Sequence, residues 1–184
     1  MKTFYKTIAL LAVMTISASL GAQQSESMIG QKAPAFTLVD LNGKSYSLEN
    51  SKGKFVVIHI AATWCPFCNA EAPNLEILYK DFRDKGVDVF IIDVREDKEL
   101  VSKAFSRFNF SFPVLLDVDG AVSASYAPKG VQPALERYEV PIASNLIVDK
   151  DGKIMFYSLL NTTAFDAKLT AVREKLVDLL ENQN

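Results

Sequence analysis

The chain of 184 residues contains only two cysteines, Cys65 and Cys68. Proteins of oxidising compartments often carry several structural disulfides, but this sequence has no cysteine to spare for them, because both stand in one short motif. The fold must therefore be stabilised by its hydrophobic core. If the two cysteines form a disulfide, we expect it to be functional rather than structural.

The sequence also lacks an excess of charge of either sign. Its 20 lysines and arginines face 22 aspartates and glutamates, which gives a formal net charge of −2, and no stretch gathers the basic residues into a patch. Nucleic-acid binding requires such a patch and is therefore not predicted. Internal repeats and low-complexity segments are absent too, so the length indicates one domain of ordinary size.

The N-terminus differs from the rest of the chain. A positively charged start is followed by an apolar run at 8–16 and by small residues at 17–22. This order is typical of a secretory signal peptide, and the run is too short for a comfortable membrane span. No cysteine lies near the cleavage region, so a lipoprotein anchor is not predicted. We expect a cleavable signal peptide at 1–22, a polar linker at 23–28 and a periplasmic or otherwise exported protein, with an uncleaved membrane tether as the alternative.

The two cysteines lie in the motif Trp-Cys-Pro-Phe-Cys at 64–68, directly after the apolar run 55–62, which is typical of a buried strand. If a helix begins at Cys65, Cys68 lies one turn further along the same face, close enough for a reversible disulfide. The free N–H groups and the dipole of a helix start stabilise a thiolate. Cys65 is therefore the predicted nucleophile, and Cys68 is the predicted resolving thiol.

The other residues of the motif suit the same chemistry. Pro66 fits the first helical turn because it has no N–H to lose there. Trp64 offers a large apolar surface against which the disulfide of a partner could dock. Trp64, Pro66 and Phe67 are therefore predicted substrate contacts.

The strand, turn and helix start at 55–68 resemble those of the thioredoxin-like superfamily. Glu71 and Pro73 complete the pattern Trp-Cys-x-x-Cys-x-x-Glu-x-Pro, which is similar to the signature of its TlpA/ResA-type, AhpC/TSA-related thiol-disulfide oxidoreductases. A bare Cys-x-x-Cys is a weak signal, since half a zinc site has the same spacing, but the strand and helix around it make it specific. The resemblance implies a thioredoxin-like domain at 29–184.

The rest of the pattern predicts an α/β fold with three layers, a mixed central sheet and an extra N-terminal β-hairpin around Asn42-Gly43. The predicted strands are 36–40, 45–48, 55–61, 87–94, 112–116, 142–149 and 153–159, and the predicted helices are 65–85, 97–108 and 165–180. Prolines and glycine in 127–139 favour an inserted, solvated loop there over a lid that contacts substrate.

Two ionisable residues near the cysteines have open roles. The resemblance implies a functional glutamate at Glu71, one turn beyond Cys68, where a carboxylate could take the proton of the resolving thiol if burial raises its pKa; a solvated glutamate is the alternative. His59, the only histidine, stands six residues before Cys65, where thioredoxins hold a buried acid. We expect a buried, neutral histidine there, with a proton relay as the alternative.

The resemblance also implies a cis-proline at the start of the strand that faces the cysteines, where its backbone can pair with a bound peptide. Val140 and Pro141 directly precede a predicted strand and are the candidates for this substrate contact. Counting back from the end of that strand, however, puts Ala143 at the usual place of the proline. Both assignments stay open at this point.

Together these features predict an exported enzyme that reduces protein disulfides through a cycle between the Cys65 and Cys68 thiols and a Cys65–Cys68 disulfide. No metal or organic cofactor is expected, and the electrons would come from a membrane or periplasmic thiol reductant. The resemblance favours reduction, although oxidases and isomerases share the geometry.

Two alternative functions belong to other classes of protein. A thiol peroxidase of peroxiredoxin type shares this architecture, and Thr63 stands two residues before Cys65, but the upstream proline of the Pro-x-x-x-Thr-x-x-Cys pattern is missing. A copper or zinc carrier would use the soft thiolates, but a closed metal site needs more ligands than this motif supplies.

Overall fold

The computed structural model describes residues 28–128 and 140–182. The predicted signal peptide at 1–22, the predicted linker up to residue 27 and the predicted loop from residue 129 onward lie outside the described residues. Within the described ranges, no helix has the length and hydrophobicity needed to cross a membrane.

The described strands form one mixed sheet. They are β1 (Thr37–Asp40), β2 (Ser45–Ser47), β3 (Phe55–Ala61), β4 (Val87–Val94), β5 (Val114–Asp117), β6 (Ser144–Val148) and β7 (Ile154–Ser158). Their order across the sheet is β2-β1-β5-β4-β3-β6-β7. β4 is parallel to both β3 and β5, whereas the β1–β2 and β6–β7 pairs are antiparallel hairpins. The mixed sheet and the extra N-terminal hairpin confirm the predicted fold class.

Four helices cover the sheet in the described part of the chain. They are α1 (Pro66–Phe82), α2 (Lys98–Phe105), α3 (Ala121–Ser125) and α4 (Thr170–Glu181). Apolar side chains of α1, α2 and α4 pack with Phe55 and Val57 of β3 on one face. Val56 and Ile58 point to the opposite face, where they pack with Phe36 and with Tyr126 at the end of α3. The alternation of β3 therefore gives a three-layer domain with a core on each side of the sheet.

The structure corrects three predicted boundaries. α4 begins at Thr170 rather than at residue 165, because the Asp166 carboxylate accepts a hydrogen bond from the Ala171 N–H and Leu169 adopts a left-handed backbone with φ of 56°. β5 and β6 each begin two residues later than predicted. The short helix α3 was not predicted, and Asp117 stabilises its first turn by accepting hydrogen bonds from backbone N–H groups.

The strand register brings one edge of the sheet together around the cysteine motif. Ala61, the last residue of β3, pairs with Asp93 near the end of β4. His59 pairs with Asn145 near the beginning of the antiparallel β6. The chain enters the motif directly after β3, so the ends of β3 and β4 and the beginning of β6 surround the start of α1.

Candidate active site

Cys65 is the N-cap residue of α1. It has an extended backbone, its Sγ accepts a hydrogen bond from the backbone N–H of Cys68 at 3.2 Å, and Pro66 follows as the first helical residue. The predicted start of the helix and the predicted position of the proline are therefore confirmed. Both cysteines are free thiols in this structure. Only 3% of Cys65 is exposed, against 45% of Trp64 beside it.

The two thiols differ in acidity. A hydrogen bond from the Cys68 side chain, helped by the backbone N–H groups of Cys68 and Phe67, lowers the pKa of Cys65 to about 7. The same thiol–thiol hydrogen bond, together with burial and the charge of Cys65, raises the pKa of Cys68 far above its ordinary value. A thiolate at neutral pH therefore forms on Cys65, while Cys68 keeps its proton.

The turn before Cys65 is clamped from two sides. The Thr63 N–H and hydroxyl donate to the Glu96 carboxylate, the hydroxyl at 2.7 Å. The Thr63 carbonyl accepts from the Asn69 amide at 2.9 Å, and Arg107 in turn donates to Asn69. These bonds fix the backbone that aims Cys65.

A second buried carboxyl stands behind this clamp. Asp93 is fully buried, and burial, followed by the charge of Glu96, raises the pKa of Asp93 to about 8. At neutral pH Asp93 therefore keeps its proton. Neither residue was predicted from the sequence. An aspartate within the apolar run at 87–94 was the available signal for Asp93, whereas nothing local marks Glu96 as a partner of Thr63.

Glu71 lies beneath the thiols in a buried polar chain. It is only 4% exposed, so the solvated alternative was wrong. The Asn145 amide donates to Glu71 Oε1 at 3.0 Å, and Asn145 Oδ1 lies 2.9 Å from His59 Nδ1. Burial raises the pKa of Glu71 to about 8, the charges of Cys65 and Asp166 act in the same direction, and the bond from Asn145 opposes them.

His59 is the buried, neutral histidine that the sequence predicted. Burial lowers its pKa to about 4, against weaker opposing hydrogen bonds. Asn145, its partner across the sheet, was missed. The available signal was an amide inside a strand otherwise filled by apolar residues, but its role depends on the pairing of β3 with β6, which the sequence does not reveal.

The remaining predicted substrate contacts are half-buried or buried. The Phe67 ring is half-buried and packs edge-on against Phe165, with 4.9 Å between the ring centres. Val140 and Pro141 are both buried. All described peptide bonds are trans, so the cis candidate Pro141 is corrected to a trans proline. Ala143 directly precedes β6 and donates its N–H to Ile60 at 2.8 Å, so it takes the place that counting along the strand had indicated.

A cavity of about 220 Å³ adjoins the buried chain. Glu71 and Asn145 form part of its wall, and its rim includes Leu160 and Asn161, which are exposed. The cavity therefore lies between exposed residues and the wall that contains Glu71 and Asn145. In residues 28–128 and 140–182, no group of three or more histidine, cysteine, aspartate or glutamate side chains is arranged to hold a metal ion.

Comparison with known proteins gives consistent matches. The family model described as Redoxin matches residues 28–172. The thiol-disulfide oxidoreductase ResA of Bacillus cereus is 31% identical over 134 residues, which cover 73% of this chain and 71% of that protein. ResA of Bacillus thuringiensis subsp. konkukian is 33% identical over 127 residues, or 69% and 67% of the two chains. Among solved structures, the thioredoxin domain of a thiol-disulfide oxidoreductase from Bacteroides vulgatus is 28% identical, has a TM-score of 0.62, and covers 79% of this chain and 96% of that one.

Proposed function

The chain belongs to the redoxin family, in its ResA-type branch of thiol-disulfide oxidoreductases, and from this premise we propose that it is an exported enzyme that reduces protein disulfides with Cys65 and Cys68. The observation that carries the proposal is the position of Cys65 as the N-cap of α1, with its sulfur accepting the Cys68 N–H. This geometry supplies a thiolate nucleophile with a second thiol one turn away.

The reaction would proceed in two exchanges. The Cys65 thiolate attacks one sulfur of the partner disulfide, a Cys65–partner bond forms, and the other partner sulfur leaves as a thiolate and takes a proton. Cys68 then loses its proton and attacks Cys65 Sγ, which forms the Cys65–Cys68 disulfide and releases the second partner thiolate. Two electrons pass from the enzyme dithiol to the partner disulfide.

Glu71 is suited to take the Cys68 proton in the second exchange. While Cys65 is a thiolate, its charge adds to burial in keeping the pKa of Glu71 raised, so the carboxyl stays protonated at neutral pH. Once Cys65 is bonded to the partner, that charge is gone and the pKa of Glu71 falls. A larger share of Glu71 is then ionised when Cys68 must be deprotonated, while burial, the largest cause of the raised pKa, remains.

The surface around Cys65 would receive the partner. We assign the exposed indole of Trp64 to the docking surface, together with Pro66, because both border the nucleophile. We assign Val140, Pro141 and Phe67 to the same docking site as less accessible contacts, since they are at least half-buried. The reductant that restores the dithiol would be a membrane or periplasmic thiol protein that uses the same surface.

Disulfide reduction by the purified, reduced protein tests the assignment. The protein should reduce insulin disulfides, Cys65→Ser should be inactive, and Cys68→Ser should accumulate a mixed disulfide with its substrate. Ile77→Ala, at an exposed position of α1, serves as the matched control and should keep full activity. Turnover of hydrogen peroxide without disulfide reduction would support the peroxidase alternative instead, and a tightly held stoichiometric metal would support the metal carrier.

Partners and location need an experiment in cells. Expression of a Cys68→Ala variant should trap exported proteins and the recycling reductant as mixed disulfides, which diagonal gels and mass spectrometry would identify. Recovery of the protein only in the cytoplasmic fraction, with residues 1–22 retained, would contradict export.

A further inference from the structure

Three buried polar side chains from three different elements form a chain below the thiols. His59 comes from β3, Asn145 from β6 and Glu71 from α1. His59 and Asn145 are direct partners in the antiparallel register, so both side chains lie on the sheet face that α1 covers. The amide of Asn145 thus lies between the imidazole and the carboxyl, 2.9 Å from His59 Nδ1 and 3.0 Å from Glu71 Oε1.

The hydrogen-bonding capacity of each group fixes the direction of this chain. A carboxylate can only accept, so the Nδ2 end of Asn145 must face Glu71 whenever that group is ionised. The Oδ1 end then faces His59, which must carry its proton on Nδ1 to donate to it. Glu71 Oε2 has no hydrogen-bond partner among the described residues, and it lies 3.5 Å from the same His59 Nδ1.

From this arrangement we propose that Asn145, held in orientation by His59, is a positioning residue that holds the Glu71 carboxyl through Oε1, so that this carboxyl can take the Cys68 proton when the mixed disulfide is resolved. The inference rests on the function proposed above. In that step the Cys68 proton moves to the Glu71 carboxylate, the Cys68–Cys65 bond forms, the Cys65–partner bond breaks, and the electron pair leaves with the partner thiolate.

The bond from Asn145 matters because Glu71 is otherwise driven toward its neutral form. The groups that act on Glu71 are His59 of β3, Cys65 and Cys68 at the start of α1, and Asp166 in the connection before α4. His59 is neutral, and the charges of Cys65 and Asp166 oppose ionisation of Glu71. The hydrogen bond from Asn145 acts in the other direction: it favours the ionised form of Glu71 and lowers its pKa.

Pre-steady-state kinetics with a chromogenic disulfide separates the two exchanges. Release of the first thiol reports attack by Cys65, and release of the second reports resolution by Cys68. In Asn145→Ala the second release should slow at neutral pH, and its pH midpoint should rise by about 1 to 2 units, the size expected for a lost hydrogen bond to a charged group. The first release should stay at the wild-type rate. Ser158→Ala, opposite Asn145 on β7, is the control and should leave the midpoint in place.

A double-mutant cycle distinguishes positioning from a general loosening of the site. Glu71→Gln should slow the second release, and adding Asn145→Ala to it should cause no further loss, because Asn145 acts through the Glu71 carboxyl. Additive losses would overturn the proposal. Failure of the wild-type protein to reduce any disulfide would contradict the proposed function. If the wild-type protein is active but the pH midpoint of Asn145→Ala is unchanged, only this inference is contradicted.

A measurement on the unmutated protein covers the case in which a variant does not fold. His59 is the only histidine in the chain, so 15N labelling of histidine gives one imidazole whose nitrogen shifts report its tautomer. We expect the proton on Nδ1 at alkaline pH, where Glu71 is ionised. A proton on Nε2 under those conditions would mean that the amide is reversed, and it would overturn the proposal.

Discussion

Replacing Asp93 by asparagine should stabilise the protein, and the gain should grow as the pH rises. Asp93 is fully buried, and burial with the neighbouring Glu96 raises its pKa from 3.8 to about 8. The folded state therefore holds a proton on Asp93 over a range in which the unfolded chain has released it. The stability that this proton provides is complete below the unfolded pKa and is lost progressively up to the folded pKa.

The size of the effect follows from the two pKa values. Each pH unit between them removes about 1.4 kcal/mol from the free energy of unfolding. Keeping Asp93 protonated thus costs about 4 kcal/mol at pH 7 and about 2 kcal/mol at pH 5. Asparagine has nearly the same shape and never ionises, so Asp93→Asn avoids this cost.

Urea unfolding of wild type and Asp93→Asn at several values between pH 5 and pH 8 measures the difference directly. Titrating groups that do not interact with Asp93 contribute equally to both proteins, so the difference in unfolding free energy isolates Asp93 and its interaction with Glu96. Asp93→Leu is the matched control, because it also removes the acid but has a branched apolar side chain of different shape; its unfolding free energy should change with pH as that of Asp93→Asn does. A difference between wild type and Asp93→Asn that stays constant with pH would refute the reasoning.

Alkylation of the reduced protein by iodoacetamide should follow a midpoint near pH 7, because the pKa of Cys65 is lowered to about 7; a midpoint above pH 8.5 would contradict the assigned order of the thiols. Glu96→Gln should lower the unfolding free energy by about 1–3 kcal/mol, since the Thr63 donors lose a charged acceptor, and it should slow alkylation of Cys65; unchanged urea unfolding would argue against the clamp. Phe165→Ala should cost about 1–3 kcal/mol in the same assay, because Phe67 loses its edge-on ring contact. Equal stability of that variant and wild type would show that the aromatic pair contributes nothing.

Features that depend on neighbouring residues could be predicted from the sequence. The start of α1 is correct because an N-cap and a following proline act within one helical turn. Gly86, with φ of 79°, ends the turn that continues α1, as its place before the apolar run of β4 indicates. The alternating hairpin strands and the continuous run of β4 likewise reflect periodicities that can be counted along the chain.

Contacts between distant segments could not be predicted in this way. His59 and Asn145 are 86 positions apart, and Thr63 and Glu96 are 33 apart, so their pairing depends on which strands become neighbours and in which register. α4 begins late for a related reason, because a hydrogen bond from Ala171 to Asp166 outweighs the helical spacing of the apolar residues before it. The identity of the cysteine pair was therefore accessible from sequence, while the residues that support it were not.

The anchoring of Thr63 has a consequence for engineering this scaffold. Its hydrogen-bond partners, Glu96 and Asn69, both lie outside the dipeptide Pro66-Phe67 that separates the cysteines. The turn before Cys65 is thus anchored without the two side chains that lie between the cysteines. Pro66 is exposed and takes no part in these hydrogen bonds. It is therefore the position at which a library of redox variants can be built while the anchored turn keeps Cys65 in place.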